Sequence, residues 1–208
     1  MRFVVVALGL FGLGLGLVGA PVNLGQLTGP SPTTPLRASK HVGRERLYLD
    51  GTASSAKSGI KDALTPVRSL LNVKRRMRYG DYVWNDHNIP RGTVWIRVDL
   101  KSQLLSVFRA GNEIGTAVIL YGATERETPI GVFPVLAKMS KHRSSIYDAE
   151  MPYTLRLTND GISIHASDVR WGLATHGCIG VPFTFAEKMF DQVSRGDRVL
   201  IVSAQQST

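Results

Sequence analysis

Apolar and polar residues alternate along much of the chain after Thr93. Val94, Ile96 and Val98 are apolar, whereas the residues between them include Arg97. A period of two predicts a β-strand with one buried face. The same reading, with turn residues between the segments, predicts further strands over 104–108, 114–121, 132–137, 153–157, 161–165 and 198–202. Five or more short strands with regular turns are typical of a β-sandwich or barrel.

One late segment has helical spacing instead. Four apolar residues fall on one face of the predicted helix: Ala186, Met189, Phe190 and Val193. The stretch Thr184-Phe185-Ala186-Glu187 has the form of a capping box, which predicts the start of the helix, and Gly196 predicts its end. The sequence therefore predicts a mostly β domain over residues 93–203, with one late helix packed on the sheet.

The first 20 residues have a composition typical of an exported or membrane-anchored protein. The run 3–20 contains no charge, and its length approaches the ~20 residues that a helix needs to span a bilayer. A cleaved signal peptide and a retained anchor both stay open, because residues 18–20 resemble a cleavage site but Pro21 follows them. Both place the rest of the chain in the periplasm or cell envelope, anchored to the inner membrane if the segment is kept.

The region between this segment and the β domain divides into two parts. Residues 21–45 are rich in Pro and predict a linker. Residues 46–92 predict a partly helical basic region, because apolar residues over 58–77 come close to helical spacing, with a kink at Pro66. The basic run 74–78 favours contact with an anionic membrane or wall polymer, and a solvated helix end is the alternative.

Composition and charge narrow the classes of function. The 208 residues carry a net charge of +9 and are 43% hydrophobic, which fits one folded domain with additional segments. Such a basic chain attracts polyanions. Nucleic acid is not expected as a partner, since the sequence contains no recognised nucleic-acid-binding motif and its N-terminus indicates export.

The candidate chemistry centres on Cys178, the single cysteine of the chain. His176 lies two residues before it, with Gly177 between them, and His165 ends a predicted strand thirteen residues upstream. A histidine can act as the base that activates a thiol and can lower the thiol pKa. Two alternatives stay open on these residues alone: an inert buried cysteine, and a zinc site formed by the thiol and both histidines. Neither a CxxC nor an HExxH motif supports zinc, so no metal or cofactor is predicted.

Several motifs in the β domain occur in a characteristic order. The main one is Thr175-His176-Gly177-Cys178 with His165 upstream. The others are Leu100-Lys101-Ser102-Gln103-Leu104, Thr128-Pro129-Ile130-Gly131-Val132-Phe133, Met151-Pro152-Tyr153 and Gly196-Asp197-Arg198-Val199. Together they resemble the L,D-transpeptidase catalytic domain, also called the YkuD family, whose active-site motif is a His, a spacer and then [Ser/Thr]-His-Gly-Cys. The resemblance covers residues 93–203 and implies the L,D-transpeptidase β-sandwich or barrel fold.

The resemblance also implies a role for each matching residue. Cys178 is implied to be the nucleophile and His165 the general base and acid. His176 and Gly177 are implied to shape the loop, whose backbone amides form the oxyanion hole. The residues assigned to substrate binding are Tyr153 and Thr175.

Family members act on peptidoglycan stem peptides. The thiolate attacks the carbonyl of the third residue, usually meso-diaminopimelate, and expels D-alanine. The acyl group then passes to an amine on another stem or on an anchored protein. The resemblance therefore implies a peptidoglycan transpeptidase. Two alternatives stay open: an L,D-carboxypeptidase, in which water is the acceptor, and a wall-binding module with weak or no turnover.

Two features depart from the family pattern. The family usually has an arginine two residues after the cysteine, where this chain has Gly180. Arg170 and Arg143 are candidates to replace it as partner of a substrate carboxylate. The spacer between His165 and Thr175 is shorter than usual, which predicts a trimmed loop.

The basic loop before Met151 is a candidate lid.

Overall fold

The computed structural model describes residues 45–49, 66–122, 126–144 and 148–203. The predicted signal or anchor (1–20) and the predicted linker (21–45), apart from its last residue, lie outside the described residues. Within those ranges no helix is long and apolar enough to cross a membrane. The elements are the strands β1 (Arg46–Tyr48), β2 (Ser69–Leu71), β3 (Tyr82–Trp84), β4 (Val94–Asp99), β5 (Leu104–Arg109), β6 (Asn112–Val118), β7 (Gly131–Pro134), β8 (Ala137–Met139), β9 (Thr154–Arg156), β10 (Ser163–Ala166), β11 (Ile179–Val181) and β12 (Arg198–Val202), and the helix α1 (Phe183–Gln192).

Eight of the described strands form one mixed sheet, in the order β1-β2-β6-β5-β4-β12-β7, with β3 paired to β6. Its centre is the antiparallel meander β4-β5-β6. Val98 pairs with Leu105, and Leu105 pairs with Ala117 on the next strand. β12 is parallel to β4, with Val199 opposite Ile96. All five side chains are almost completely buried, so the period of two in the sequence marks the inner face of this sheet.

The other four described strands form a smaller sheet in the order β11-β10-β9-β8. β9 and β10 are the antiparallel pair that the sequence predicts. β10 and β11 are parallel, with His165 opposite Gly180. Because β11 begins directly after Cys178, this parallel pair connects the two residues of the predicted chemistry.

The two sheets share one hydrophobic core with α1. Ile96 on the larger sheet and Ile164 on the smaller sheet both belong to it and are at most 1% exposed. The helix adds three fully buried side chains: Phe185, Ala186 and Met189. It contacts β10 and β6. The predicted fold class is confirmed: the domain is mostly β with one late helix, and that helix supports the strand β10.

The helix predicted over 58–77 is wrong for the described part of that range. Ser69–Leu71 is strand β2, which pairs with β1 and with β6. The Leu71 N–H donates to the Glu113 carboxylate at 2.7 Å, and Pro66 lacks the N–H that a helix interior requires. Pairing with the sheet therefore outweighs local spacing. β1, β2 and β3, which come before residue 93, also belong to the larger sheet.

The late helix begins one residue before the predicted capping box. α1 starts at Phe183, with Pro182 at its N-cap and no side-chain cap hydrogen bond. The Ala186 N–H donates to the Pro182 carbonyl at 2.9 Å. Pro182 directly follows β11, and the restricted φ of proline suits a turn from strand into helix. The capping-box prediction is therefore wrong, because Thr184 lies inside the first turn.

Candidate active site

A tight loop before β11 carries Cys178. The Thr175 N–H donates to the Tyr121 carbonyl at 3.1 Å, and the Thr175 hydroxyl donates to the Cys178 carbonyl. Gly177 has a φ of +95°, and a Cβ at this position would lie 2.7 Å from Ile162 Cδ1. The positive φ favours glycine at this position. The Thr-His-Gly-Cys sequence therefore also meets a structural requirement of the loop, because Thr175 and Gly177 fix its conformation.

The parallel pairing of β10 and β11 brings Cys178 close to His165. His165 pairs with Gly180, and the Cys178 thiol forms a hydrogen bond with the Ser163 backbone. The side chains of His165 and Cys178 line one cavity of about 240 Å³. The two residues predicted as base and nucleophile thus face the same cavity.

His165 is held as a neutral imidazole of defined tautomer. Its Nδ1 lies 2.8 Å from the Ala166 carbonyl oxygen. A carbonyl can only accept a hydrogen bond, so Nδ1 carries the proton. Burial lowers the pKa of His165, and the neighbouring His142 acts in the same direction. Nε2 is then the nitrogen that can accept a proton, as a general base requires.

Cys178 rests as a thiol. Its Sγ lies 3.7 Å from the Gly161 carbonyl oxygen, which can accept the thiol proton in a weak hydrogen bond. Burial raises the pKa of Cys178, and the backbone hydrogen bond with Ser163 and the charge of Arg126 oppose this shift without reversing it. A histidine partner can lower a thiol pKa, but the net shift of the Cys178 pKa is upward. A reaction at this sulfur would therefore need a base that takes the thiol proton.

Alkylation of Cys178 by iodoacetamide should increase with pH, and its midpoint should lie above that of a free cysteine. The thiolate is the reactive form, and burial shifts its formation to higher pH. Intact-protein mass spectrometry over a neutral to alkaline pH series measures the rate, with N-acetylcysteine amide as the reference thiol. A midpoint below the reference would indicate a preformed thiolate and contradict the resting state described above.

The loop before β9 forms one wall of the cavity. Its lining residues are His142, Ser144, Ala149 and Met151. The Met151 N–H donates to the His142 carbonyl at 2.8 Å, which joins the two sides of the loop. Arg143 pairs with Asp148 at 2.5 Å and with Glu150 at 2.8 Å on the exposed side. The candidate lid thus borders the site, whereas Arg143 is engaged outside the cavity.

The predicted site residues fall into two groups. At the cavity are Cys178, His165, His176 and Thr175, and Gly177 lies in the loop between them. The Tyr153 hydroxyl instead donates to Glu187 at 2.9 Å, and its ring packs against α1. Arg170 pairs with Asp168 at 2.7 Å and lines a separate groove. The geometry therefore gives no support for a substrate contact from Tyr153 or Arg170.

Packing explains why glycine occupies position 180. Gly180 exchanges two backbone hydrogen bonds with Leu120, each 2.9 Å long. A Cβ at Gly180 would lie 2.8 Å from Ser167 Cβ. An arginine at this position would therefore have to displace Ser167, so the family arginine has no space here.

Arg126 lines the cavity, and the sequence did not predict it as a site residue. Its Nη2 lies 2.5 Å from Asp160 Oδ2, and one-third of its side chain is exposed. In the sequence Arg126 stands between Glu125 and Glu127, a pattern typical of a solvated turn. The position of Arg126 at the cavity becomes visible only in the fold, which brings this turn close to the loop that carries Cys178.

Thr128 connects the same turn to the loop that carries the thiol. Its buried hydroxyl accepts a hydrogen bond from the Gly122 N–H at 2.9 Å and donates one to the Gly177 carbonyl at 3.0 Å. The sequence marked Thr128 only as part of a turn motif. Because Gly177 precedes Cys178, Thr128 is a positioning residue for the thiol.

Thr128→Val should slow acylation of Cys178 by roughly ten- to a hundredfold, since the thiol loses its alignment. It should also lower the free energy of unfolding by about 1–3 kcal/mol, because two buried polar groups lose their partner. Thr128→Ser keeps the hydroxyl and should retain most of the rate. β-Lactam acylation kinetics and urea unfolding measure both effects. Equal acylation rates for the two variants would show that the hydroxyl does not position the loop.

The fold and the cavity together define a class: a two-sheet β protein in which a thiol and an imidazole line one cavity beside the smaller sheet. Among the described residues, no group of three or more His, Cys, Asp or Glu side chains is arranged to hold a metal ion. The model of the family described as the L,D-transpeptidase catalytic domain, YkuD, matches residues 93–201. The chain belongs to this family.

Solved structures show the same fold. An L,D-transpeptidase from Stackebrandtia nassauensis is 23% identical, with a TM-score of 0.51 over 57% of this chain and 60% of that chain. An L,D-transpeptidase from Mycobacterium smegmatis is 22% identical, with a TM-score of 0.50 over 53% of this chain and 58% of that chain. The match therefore spans less than two-thirds of these relatives. A comparison with curated proteins finds no match.

Proposed function

We propose that this protein is a peptidoglycan L,D-transpeptidase of the periplasm or cell envelope. Cys178 Sγ attacks the carbonyl carbon of the third residue of a stem tetrapeptide, and His165 Nε2 accepts the thiol proton. The peptide bond to the terminal D-alanine breaks, its nitrogen takes that proton, and a thioester remains on Cys178. An amine of another stem or of an anchored protein then attacks the thioester carbonyl and gives a proton to His165. The new amide bond forms as the C–S bond breaks, and His165 returns the proton to the sulfur, which restores the thiol.

One observation carries this proposal: the thiol of Cys178 and the imidazole of His165 line the same cavity, where burial lowers the pKa of His165 and raises the pKa of Cys178. The hydrogen bond from Nδ1 to Ala166 leaves Nε2 to accept the thiol proton and return it to the leaving amine. A thiol nucleophile divides the exchange of one amide for another into two easier steps. Family membership supports the stem peptide as the class of substrate. The oxyanion hole formed by the amides near Cys178 stays a prediction.

We further assign to Arg126 the binding of a stem-peptide carboxylate. Its present partner, Asp160, is 67% exposed, so a substrate carboxylate can take its place without leaving an unpaired charge buried. Arginine binds carboxylates through charge-assisted hydrogen bonds, which are stronger than neutral ones. Arg126 thus takes the part that the family pattern gives to an arginine at position 180, where Ser167 leaves no space.

Arg126→Gln should raise the KM for a stem tetrapeptide by roughly ten- to a hundredfold, the usual effect of losing a hydrogen bond to a charged group. A stem ending in a carboxamide should bind wild type less well, and Arg126→Gln should reduce the difference between the two stems. Arg143→Gln, which removes an arginine outside the cavity, is the matched control. An unchanged preference for the carboxylate in Arg126→Gln would contradict the assignment.

Incubation with a disaccharide tetrapeptide, followed by mass spectrometry of the products, tests the proposed reaction. A transpeptidase yields a cross-linked dimer and free D-alanine. Tripeptide without dimer would identify an L,D-carboxypeptidase, in which water is the acceptor. Unchanged tetrapeptide with retained binding would identify a wall-binding module. Cys178→Ala is the control for each product.

A further inference from the structure

The larger sheet carries a groove on the face that points away from the shared core. Arg97, Ser106 and Thr116 lie next to one another across β4, β5 and β6 and line this groove. Their neighbours along the strands, Val98 and Leu105, belong to the core on the other face. The groove has a volume of about 1480 Å³, and the catalytic cavity shares none of its lining residues.

The floor of the groove is largely apolar. It includes Leu71, Leu104, Phe108 and Val118 from three adjacent strands. An apolar surface of this kind attracts other apolar groups, because contact removes both from water. A purely polar ligand would leave this floor without a complementary partner.

The lining of the groove is also cationic. It contains five arginines: Arg75, Arg76, Arg78, Arg97 and Arg170. Three of them are neutralised by aspartates, with distances of 2.6 Å for Arg75, 2.9 Å for Arg97 and 2.7 Å for Arg170. Arg76 and Arg78 are exposed and form no ion pair among the described residues, although Arg78 is near enough to Asp81 to lower the pKa of that carboxyl. Two positive side chains thus stand beside an apolar floor.

Trp171 projects at one end of the same groove. Its side chain is 83% exposed and contacts Tyr79 edge-on, with ring centroids 5.8 Å apart. Leu173, two residues later, is 48% exposed. A tryptophan exposed beside arginines is typical of a protein surface that enters the headgroup region of a membrane.

We propose that this groove binds an anionic phospholipid at a membrane surface, with the phosphate at Arg76 and Arg78, an acyl chain over the apolar floor, and Trp171 in the headgroup region. The charge of the two arginines complements the phosphate, and the floor complements the chain. A wall polymer would satisfy the arginines and leave the floor exposed. The uncharged N-terminal run would hold the domain at the same bilayer if it is retained as an anchor.

Partitioning of the full-length protein into vesicles tests this site. One set of vesicles contains phosphatidylcholine alone, and the other also contains phosphatidylglycerol. The measured quantity is the increase in binding that the anionic lipid causes. An uncharged anchor contributes equally to binding of the two vesicle types and so does not affect this increase. Arg76→Gln with Arg78→Gln should reduce that increase about thirtyfold, since each arginine near an anionic surface contributes about a fivefold factor. The matched control, Arg91→Gln with Lys188→Gln, removes the same charge at exposed positions outside the groove and should leave it within about threefold.

Quenching by brominated acyl chains locates the contact. Trp95 is 4% exposed and Trp84 packs against Phe185 in the core, so Trp171 should supply the quenched fluorescence, and Trp171→Phe should remove it. Three results would overturn the proposal. The first is an equal loss of vesicle binding in both double variants. The second is Trp171 fluorescence that stays unquenched on anionic vesicles. The third is that Arg76→Gln with Arg78→Gln loses binding to isolated cell-wall sacculi while its binding to vesicles is unchanged. The last result would identify a wall polymer as the occupant.

Discussion

Cys178→Ala should abolish covalent labelling of the protein by a thiol-acylating β-lactam. The chain contains no other cysteine, and Cys178 lines the cavity that also holds the imidazole. The loss should therefore be complete. The fold should persist, because the Sγ makes a weak contact of 3.7 Å with Gly161 and one hydrogen bond with the Ser163 backbone, and the loop is held by hydrogen bonds from Thr175 and Thr128.

Intact-protein mass spectrometry after incubation with the β-lactam measures this effect, and thermal unfolding of both proteins provides the control for folding. Cys178→Ser is a second, nearly isosteric variant that keeps a hydroxyl, which is a much weaker nucleophile than a thiol at neutral pH. Labelling that survives in a folded Cys178→Ala protein would show that another residue carries the acyl group.

His165→Ala should slow acylation by about a hundred- to ten-thousandfold, the usual contribution of a general base. The side chain is buried and bonded to the Ala166 carbonyl, so its removal should also lower the free energy of unfolding by about 1–3 kcal/mol. The protein should therefore remain folded while the rate falls far more steeply. His87→Ala, at an exposed histidine outside the cavity, should leave the rate unchanged.

The pH profile of acylation separates catalysis from packing. Protonated His165 cannot accept the thiol proton, so the wild-type rate should fall at acidic pH. Because burial lowers the pKa of His165, this fall should occur below the pH at which an ordinary histidine titrates. His165→Ala should lose this acidic limb. Parallel losses of folding and activity, with an unchanged profile shape, would instead make His165 a structural residue.

Alternation alone predicted much of the larger sheet. β4, β5 and β12 occur where the period of two places them, because each has one face on the core. The short strands β1 and β2 could not be predicted this way. Their sheet contacts depend on Glu113 and Asn112 in β6, far along the chain: Glu113 accepts from Leu71 at 2.7 Å and Asn112 accepts from Ser69 at 2.8 Å. Neither contact can be recognised from the residues in or next to β1 and β2.

The sequence predicted the motif of the candidate site, but it did not predict the burial of these residues or their contacts with distant segments. Thr175 to Cys178 and His165 can be recognised in the sequence, and the structure brings them to one cavity. The raised pKa of Cys178 depends on burial, which the sequence does not show. Arg126 and Thr128 were missed for the same reason, since their contacts with Asp160 and Gly177 join segments separated by 34 and 49 positions.

The mass of the acyl-enzyme tests the central claim most directly. The full-length protein is mixed with a disaccharide tetrapeptide whose side-chain amine is acetylated, so that the mixture contains no amine acceptor. The reaction is quenched in acid, and the protein is analysed intact and after proteolysis. The mass should increase by that of the stem minus D-alanine, on the peptide that contains Cys178, and Cys178→Ser should show no such thioester. An adduct on another residue, or products formed by folded Cys178→Ala at the wild-type rate, would contradict a mechanism in which Cys178 carries the stem peptide.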